Sequence, residues 1–264
     1  IRGVINKIRK LSDEELKRGL VTASSGNHGK AVATCAKMLG IPAKVVVSET
    51  STDLKRQMIR DLGAEVIVST VEERFDLARE IAEKEGMTFI HPSDDLDVSE
   101  GQGTLAVEIL NKMDHLKLIV PVGGGGLISA IALYTKGVTR WSKVIGVEPE
   151  NFQRYTKSLK EGRPTNIKKG ETIADGLMSI TPSANAFEVI RDLVDDLVTC
   201  QDKFIKKALD LLYNKEKLIV EPSAAIGLGA ILEGKIKYDN RDKLVLIITA
   251  GNIDGSTIEN IINS

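Results

Sequence analysis

Apolar residues along the chain alternate between segments with the period of an α-helix and short continuous runs. A helical pattern over residues 29–39 ends at Gly40, and a run rich in valine follows over 43–47. Glycine after a helical pattern indicates a helix end, and a short β-branched run indicates a strand. The alternation continues along the chain and predicts βα units around mainly parallel sheets. The pattern predicts helices over residues 29–39, 54–62, 74–84, 103–113, 127–134, 204–213 and 224–232, and strands over residues 43–47, 65–69, 88–91, 116–122, 144–147 and 243–249.

The composition excludes several classes of protein. The 264 residues carry 36 basic and 37 acidic side chains, a formal net charge of −1, so no general field attracts nucleic acid or an anionic membrane. No apolar stretch approaches the roughly 18–20 residues that would span a bilayer, and charges interrupt the N-terminal segment too often for a signal peptide. Cys35 and Cys200 are the only cysteines, and their apolar contexts favour two reduced, buried thiols in a cytoplasmic protein.

Small polar residues precede the first long helical pattern, where the sequence reads Thr-Ala-Ser-Ser-Gly-Asn-His-Gly over residues 22–29. The first backbone N–H groups of a helix have no partner within the helix, and the helix dipole adds positive potential there. Such a helix start can bind a carboxylate or a phosphate without any net charge. The spacing alone also fits an ordinary Ser or Asn helix cap, and this alternative stays open.

Four consecutive glycines stand between a predicted strand and a predicted helix, at residues 123–126. Glycine tolerates unusual φ angles and close backbone approach, so the run can form a nest of N–H donors for a phosphate. It matches neither the dinucleotide fingerprint G-x-G-x-x-G with its acidic partner nor a P-loop. A flexible turn is the alternative, but four glycines there would cost conformational entropy without a gain. We therefore predict a phosphate-binding loop.

A third candidate element is Thr-Ala-Gly-Asn at residues 249–252, where a predicted buried strand ends. Open α/β sheets bind ligands at the carboxyl ends of their strands, and the glycine run also follows a strand. We expect these elements and the polar helix start at residues 22–29 to serve one cofactor.

Together, the motifs of the chain resemble those of one enzyme family. The motifs are Ser-Ser-Gly-Asn-His-Gly at 24–29, Gly-Gln-Gly-Thr at 101–104, Gly-Gly-Gly-Gly-Leu at 123–127, Thr-Ile-Ala-Asp-Gly at 172–176, Glu-Pro-Ser-Ala at 221–224 and Thr-Ala-Gly-Asn at 249–252. In their order and spacing the chain resembles fold-type II pyridoxal-phosphate enzymes, most closely serine racemases and short threonine/serine dehydratases. The resemblance implies an α/β, tryptophan synthase β-like fold with two domains, whose open, twisted, mainly parallel sheets are flanked by helices.

The resemblance also implies a cofactor, pyridoxal 5′-phosphate, and roles for individual residues. The cofactor would act as an electron sink, while the protein orients groups and moves protons. Thr249 stands where the family usually has a serine facing the pyridine nitrogen, and it keeps a hydroxyl. The implied cofactor-binding residues are Asn27, Gly123, Gly124, Gly125, Gly126, Leu127, Glu221 and Thr249, and the residues implied to bind the substrate are Ser24, Ser25, Gly26, Asn27 and His28.

Ser25 bears on which branch of the family the chain resembles more. Dehydratases of the family usually carry alanine at this position, whereas serine racemases place a serine on the cofactor face opposite the lysine. A racemase needs proton transfer on both faces of a planar carbanion, so Ser25 is predicted to be catalytic. The alternative is that Ser25 only caps the helix.

Two departures from the family pattern concern the lysine and a metal. The family's Schiff-base lysine lies in Ser-Phe-Lys-x-Arg-Gly, and the sequence opens with the residues after it, Ile1 to Gly3. We expect the working enzyme to contain that lysine, because a chain without it would not perform normal catalysis. Eukaryotic serine racemases bind a divalent cation through a loop whose Glu matches Glu148 and whose Asp is replaced by Arg154. We expect no metal there, and Glu148 as a surface or loop carboxylate.

The predicted function is racemisation and/or β-elimination (dehydration) of a small hydroxy amino acid, with serine as the first candidate substrate and aspartate or hydroxyaspartate as an alternative. A threonine/serine dehydratase (ammonia-lyase) without racemase activity is the enzymatic alternative. A lysine-less, cofactor-binding fragment without turnover is the alternative of another class. The resemblance further implies a homodimer with no nucleic-acid or membrane partner. We expect a small domain over residues 19–96 and a large domain formed by residues 1–18 and 97–264.

Overall fold

The structure, a computed structural model, describes all residues from Ile1 to Ser264 and divides into two units. The units are Ile1–Gln102 and Gly103–Ser264. Each unit contains one four-stranded sheet, and all neighbouring strands in both sheets are parallel. Parallel neighbours need a crossover connection, which the helices supply. The predicted α/β class with mainly parallel sheets is therefore confirmed.

In the first unit, strands alternate with helices around a sheet of order β3-β2-β1-β4, once its strands are numbered along the chain. The elements are α1 (Arg2–Ile8), α2 (Asp13–Arg18), β1 (Leu20–Ala23), α3 (Asn27–Leu39), β2 (Ala43–Ser48), α4 (Asp53–Arg60), β3 (Glu65–Ser69), α5 (Arg74–Glu85), β4 (Thr88–Phe89) and α6 (Leu96–Leu110), which continues into the second unit.

The central strands of this sheet are apolar on both faces. Val45 and Val47 pack in one cluster with residues of α3, whereas Val21 and Val46 belong to another cluster with Ala78 of α5. All five side chains are fully buried. Successive side chains of a strand point to opposite faces, so helices on both sides require a continuous apolar run. This explains why β2 shows no polar alternation in the sequence.

The second unit has the sheet order β7-β6-β5-β8. Because all four strands are parallel, the segments that follow β5, β6 and β8 emerge at the same edge of the sheet. The elements are β5 (Leu116–Pro121), α7 (Gly126–Val138), β6 (Lys143–Pro149), α8 (Arg154–Glu161), α9 (Ala184–Leu193), β7 (Asp196–Cys200), α10 (Asp202–Asp210), α11 (Pro222–Leu232), β8 (Lys243–Leu246) and α12 (Gly255–Asn263), with 3₁₀ turns at Glu150–Phe152 and Asp175–Leu177 and a π-helical turn at Leu211–Lys215.

Every predicted helix and strand is present, although most of their bounds shift by one to several residues, and two of these shifts have a visible cause. The helix predicted over residues 103–113 begins earlier, at Leu96, because Asp95 Oδ1 accepts hydrogen bonds from the N–H groups of Asp97 and Val98 at 2.9 and 3.2 Å. The strand predicted over residues 243–249 ends at Leu246. Only the single hydrogen bond from Ile247 N to Ile119 O continues its pairing. Both cysteines are free and buried, which confirms the prediction for them.

The contact-based units differ from the predicted domain bounds. Residues 1–18 belong to the first unit, where α1 packs against α3, and the division falls after Gln102 instead of residue 96. Units defined by contacts and domains that move as bodies are different properties, so the predicted domain bounds stay a prediction. None of the helices has both the length and the apolar character that crossing a bilayer requires.

Candidate functional site

The glycine loop, Gly123 to Gly126, joins β5 to α7. Gly125 is the N-cap of α7 with a φ of 94°, and no side chain caps this helix. No acceptor within the chain takes up the N–H groups of the four glycines. Leu127, the next residue, packs its side chain against the core cluster that α7 and α9 share. Free N–H groups at a helix start, with the dipole behind them, suit a phosphate or another anion.

The segment after β8 is a neighbour of the glycine loop, because β8 pairs with β5 in the sheet. Ile247 still donates its N–H to Ile119 O at 3.0 Å, and Thr249 follows two residues later in an exposed position. The Thr249 hydroxyl is therefore accessible to a ligand at this edge of the sheet.

Glu221 fixes the residues that follow Thr249. Its N–H donates to Ala250 O at 3.0 Å, and its Oε1 accepts from Asn252 N at 2.9 Å. The residue is buried and is the N-cap of α11. Ser223, two residues later, accepts a hydrogen bond from Gly176 N at 2.9 Å. The Glu-Pro-Ser-Ala motif therefore holds two other motifs, Thr-Ala-Gly-Asn and Thr-Ile-Ala-Asp-Gly.

In the first unit, the polar segment from Ser24 to His28 joins β1 to α3. The N-cap of α3 is Gly26, and no side chain caps the helix. Gly26 donates its own N–H to Ser24 Oγ at 3.3 Å, which turns the chain into the helix. A Cβ on Gly29 would lie 2.1 Å from Ser24 O, so this position requires glycine. A helix start that no side chain caps suits a carboxylate.

Ser25 is half-buried and does not cap α3. Its Oγ accepts a hydrogen bond from the N–H of Ser48, at the end of β2, at 2.9 Å. The alternative that Ser25 only caps the helix is therefore wrong. Because the bond uses a lone pair of the oxygen, the hydroxyl hydrogen stays available for donation.

His28 and Asn27 occupy the first turn of α3. His28 Nε2 lies 3.2 Å from Ile90 O, so Nε2 carries the hydrogen and donates it. Desolvation lowers the pKa of His28 to about 4, although the bond to Ile90 opposes the shift. His28 is therefore neutral near pH 7, while the Asn27 side chain is exposed at the start of the helix.

Glu148 differs from the expectation for it. Glu148 is fully buried, so the expected surface or loop carboxylate is wrong. Its carboxylate accepts from the N–H groups of Tyr155 and Thr156, both at 2.9 Å. Desolvation raises the pKa of Glu148, and these two N–H groups oppose the shift. No group of three or more His, Cys, Asp or Glu side chains is placed to hold a metal ion.

Comparison with known proteins decides the family. A model of the family described as pyridoxal-phosphate dependent enzymes matches residues 1–250. The chain belongs to this family. An L-threonine ammonia-lyase of Thermotoga maritima is 39% identical over 267 residues, which cover 100% of this chain and 66% of that protein. A catabolic L-threonine dehydratase, TdcB, of Staphylococcus aureus is 37% identical over 99% of this chain and 77% of its own length. The chain thus spans just under two thirds of the Thermotoga relative.

Solved structures of family members have the same fold. Maize serine racemase superposes with a TM-score of 0.92 at 34% identity, covering 99% of this chain and 82% of that one. The processed form of threonine deaminase isoform 2 from Solanum lycopersicum gives 0.90 at 33% identity, covering 99% and 78%. The predicted fold type and the cofactor of the family, pyridoxal phosphate, are confirmed. Both threonine deaminase and serine racemase are among the similar structures, so the likeness does not separate the two activities.

Two residues beside the glycine loop, Arg154 and Tyr155, were not predicted from the sequence to lie there. Tyr155 donates a hydrogen bond to Gly124 O in the loop, and Arg154 donates one to the carbonyl of Val122, the residue before the loop. A signal for them exists in the sequence, since they follow β6, whose neighbour in the sheet is β5. Residues after neighbouring parallel strands meet at one edge, but only the strand order shows that these two strands are neighbours.

Proposed function

We propose that the chain forms the main part of a pyridoxal-phosphate enzyme that dehydrates or racemises a small hydroxy amino acid. The observation that carries the proposal is the glycine loop, whose four N–H groups have no acceptor and which follows β5, the strand paired with the one that precedes Thr249. The relatives support the reaction class, because they are named threonine ammonia-lyase, threonine dehydratase and serine racemase.

The residues of the second unit fit this cofactor. N–H groups of Gly123 to Gly126 would bind its phosphate, and the exposed Thr249 hydroxyl would hydrogen-bond the pyridine nitrogen. Glu221 would keep Thr249 in place through its bonds to Ala250 and Asn252. When bound, the cofactor supplies an electron sink for the substrate's Cα.

Residues of the first unit would bind the substrate and move its proton. The start of α3, from Ser24 to His28, would bind the carboxylate through N–H groups, while neutral His28 adds no charge to the site. We assign Ser25 Oγ as the group that gives or takes the Cα proton on one face. The Ser48 N–H donates to this oxygen, and a donor of this kind stabilises the negative charge that develops when the hydroxyl loses its proton.

The test measures D-serine and 2-keto acid separately, with L-serine and L-threonine as substrates and pyridoxal phosphate supplied. Ser25→Ala should lower D-serine formation by about 10²–10⁴-fold, the usual contribution of a positioned acid–base group, and change 2-keto acid formation by less than about tenfold. Ser99→Ala, a substitution on α6 of the same unit, is the matched control.

Other results of this test would favour one of the two alternative functions. If 2-keto acid forms without D-serine and Ser25→Ala changes nothing, the protein is a dehydratase without racemase activity. If the protein binds the cofactor but converts neither substrate, the cofactor-binding fragment is correct. The ratio of the rates for L-serine and L-threonine decides the preferred substrate.

A further inference from the structure

Arg154 is a fully buried side chain at the start of α8. Its guanidinium donates to three backbone carbonyls: Nη2 to Val122 O at 3.1 Å, Nη1 to Ser179 O at 2.6 Å, and both nitrogens to Leu177 O at 3.1 and 2.8 Å. Val122 directly precedes the glycine loop, and Leu177 and Ser179 follow the Thr-Ile-Ala-Asp-Gly motif. A single cation therefore joins two motif segments that are about fifty residues apart in sequence.

Burying this cation costs free energy. Taking a charge out of water costs several kcal/mol even after relaxation, and Arg154 Nε has no hydrogen-bond partner that would offset this cost. Desolvation lowers the pKa of Arg154, while the negative charge of Glu148 opposes the shift. A guanidinium keeps its proton in proteins, so a positive charge lies next to the glycine loop.

Tyr155 contacts the loop directly. Its hydroxyl donates to Gly124 O at 2.7 Å and accepts from Ser183 N at 3.1 Å. A Cβ on Gly125 would lie 2.2 Å from the same hydroxyl oxygen, so the tyrosine occupies the space next to this glycine. The ring is fully buried and packs in the core cluster of α7 and α9.

These two contacts determine the direction in which two N–H groups of the loop point. All peptide bonds of the chain are trans, and in a trans peptide the C=O and the following N–H point in opposite directions. Since Val122 C=O points at Arg154, the N–H of Gly123 points away from the guanidinium. Since Gly124 C=O points at Tyr155, the N–H of Gly125 points away from that ring. Both N–H groups are among those without an acceptor in the chain.

We propose that Arg154 and Tyr155 are positioning residues for phosphate binding, which orient the N–H groups of Gly123 and Gly125 by holding the preceding carbonyls. The proposal rests on the assignment of the glycine loop as the phosphate site. Both side chains would act through the backbone of the loop, and the guanidinium would add a fixed positive charge behind it. Packing alone would require neither a cation at this position nor a hydroxyl on the ring.

The test compares two ligands that do not need a Schiff-base lysine, pyridoxamine 5′-phosphate and pyridoxamine. Dissociation constants are measured by fluorescence titration of the full chain and of Tyr155→Phe. This variant keeps the ring and removes one hydroxyl, so the fold should persist. We expect Tyr155→Phe to weaken binding of pyridoxamine 5′-phosphate about three- to tenfold, the value of one or two neutral hydrogen bonds, and to leave pyridoxamine binding unchanged.

Two further variants complete the test. Tyr213→Phe removes a hydroxyl that donates to Glu259 elsewhere in the second unit, and it should change neither constant. Arg154→Lys keeps the charge but loses the planar fork that reaches three carbonyls, so it should weaken phosphate-ligand binding at least tenfold if it folds. If Arg154→Lys does not fold, the affinities of Tyr155→Phe alone test the positioning role.

The outcomes separate this proposal from the proposed function. Equal affinity of wild type and Tyr155→Phe for pyridoxamine 5′-phosphate, or equal weakening for both ligands, overturns the positioning role and leaves the cofactor site intact. If wild type does not distinguish the two ligands, the glycine loop is not the phosphate site, and both proposals fail.

Discussion

Replacing Gly125 by alanine tests whether the packing of Tyr155 against the glycine loop adds to the cost of backbone strain at this position. An L-residue at the Gly125 φ of 94° costs about 1–2 kcal/mol in strain. The new Cβ would also lie 2.2 Å from Tyr155 Oη and 2.7 Å from Ala186 Cβ, so the tyrosine must move. Its two hydrogen bonds, to Gly124 O and from Ser183 N, are worth about 0.5–1.5 kcal/mol each. We expect Gly125→Ala to cost about 2–5 kcal/mol.

Gly162→Ala supplies the matched control. Gly162 also has a positive φ, 70°, but a Cβ there would meet nothing within 4 Å. It should therefore cost only the strain, about 1–2 kcal/mol. The assay is denaturant unfolding at equilibrium of wild type and of both variants, with the midpoint and slope fitted together. Equal losses of stability for the two variants would show that the tyrosine yields freely, and the reasoning about a packed loop would then be wrong.

Two further predictions concern side chains that the protein keeps uncharged. Because folding lowers the pKa of His28 from 6.5 to about 4, its neutral form stabilises the protein above pH 6.5, and about 3 kcal/mol of unfolding free energy should be lost between pH 7 and pH 4. Comparing denaturant unfolding of wild type and His28→Gln at several pH values checks this; identical pH profiles would contradict it. Desolvation raises the pKa of the buried Cys200 thiol, so a thiol reagent should modify Cys200 in unfolded but not folded protein, as read by mass spectrometry.

The sequence predicts local features well where the signal is itself local. Gly40, with a φ of 66°, ends α3 as the pattern predicts, because a glycine relieves the strain of a left-handed residue wherever it stands. The helix start at Leu96 was missed because Gly101 and Gly103 lower the helical tendency of this segment. The structure gives the reason for one of them: a Cβ on Gly101 would lie 2.5 Å from Arg2 O. No local pattern contains that contact, since the two residues are about a hundred positions apart.

In the candidate site too, local features could be predicted from the sequence and long-range contacts could not. Glycine runs and polar helix starts are recognisable along the chain, because free N–H groups belong to a few consecutive residues. The partners that hold these segments are not recognisable there. Ser25 was predicted as a catalytic group with a helix cap as its alternative, and only the pairing of β1 with β2 brings its Oγ to Ser48 N. A role for Ser25 in catalysis stays a prediction.

The sequence by itself determined the fold class and the family, and it predicted segments for the cofactor site, because all three depend on periodicity and on short motifs. The tertiary structure alone decided that Glu148 is buried, and that Arg154 and Tyr155 lie behind the glycine loop. The physical reason is that hydrogen bonds and burial depend on which strands are neighbours. The order β7-β6-β5-β8 brings together residues that the sequence keeps far apart.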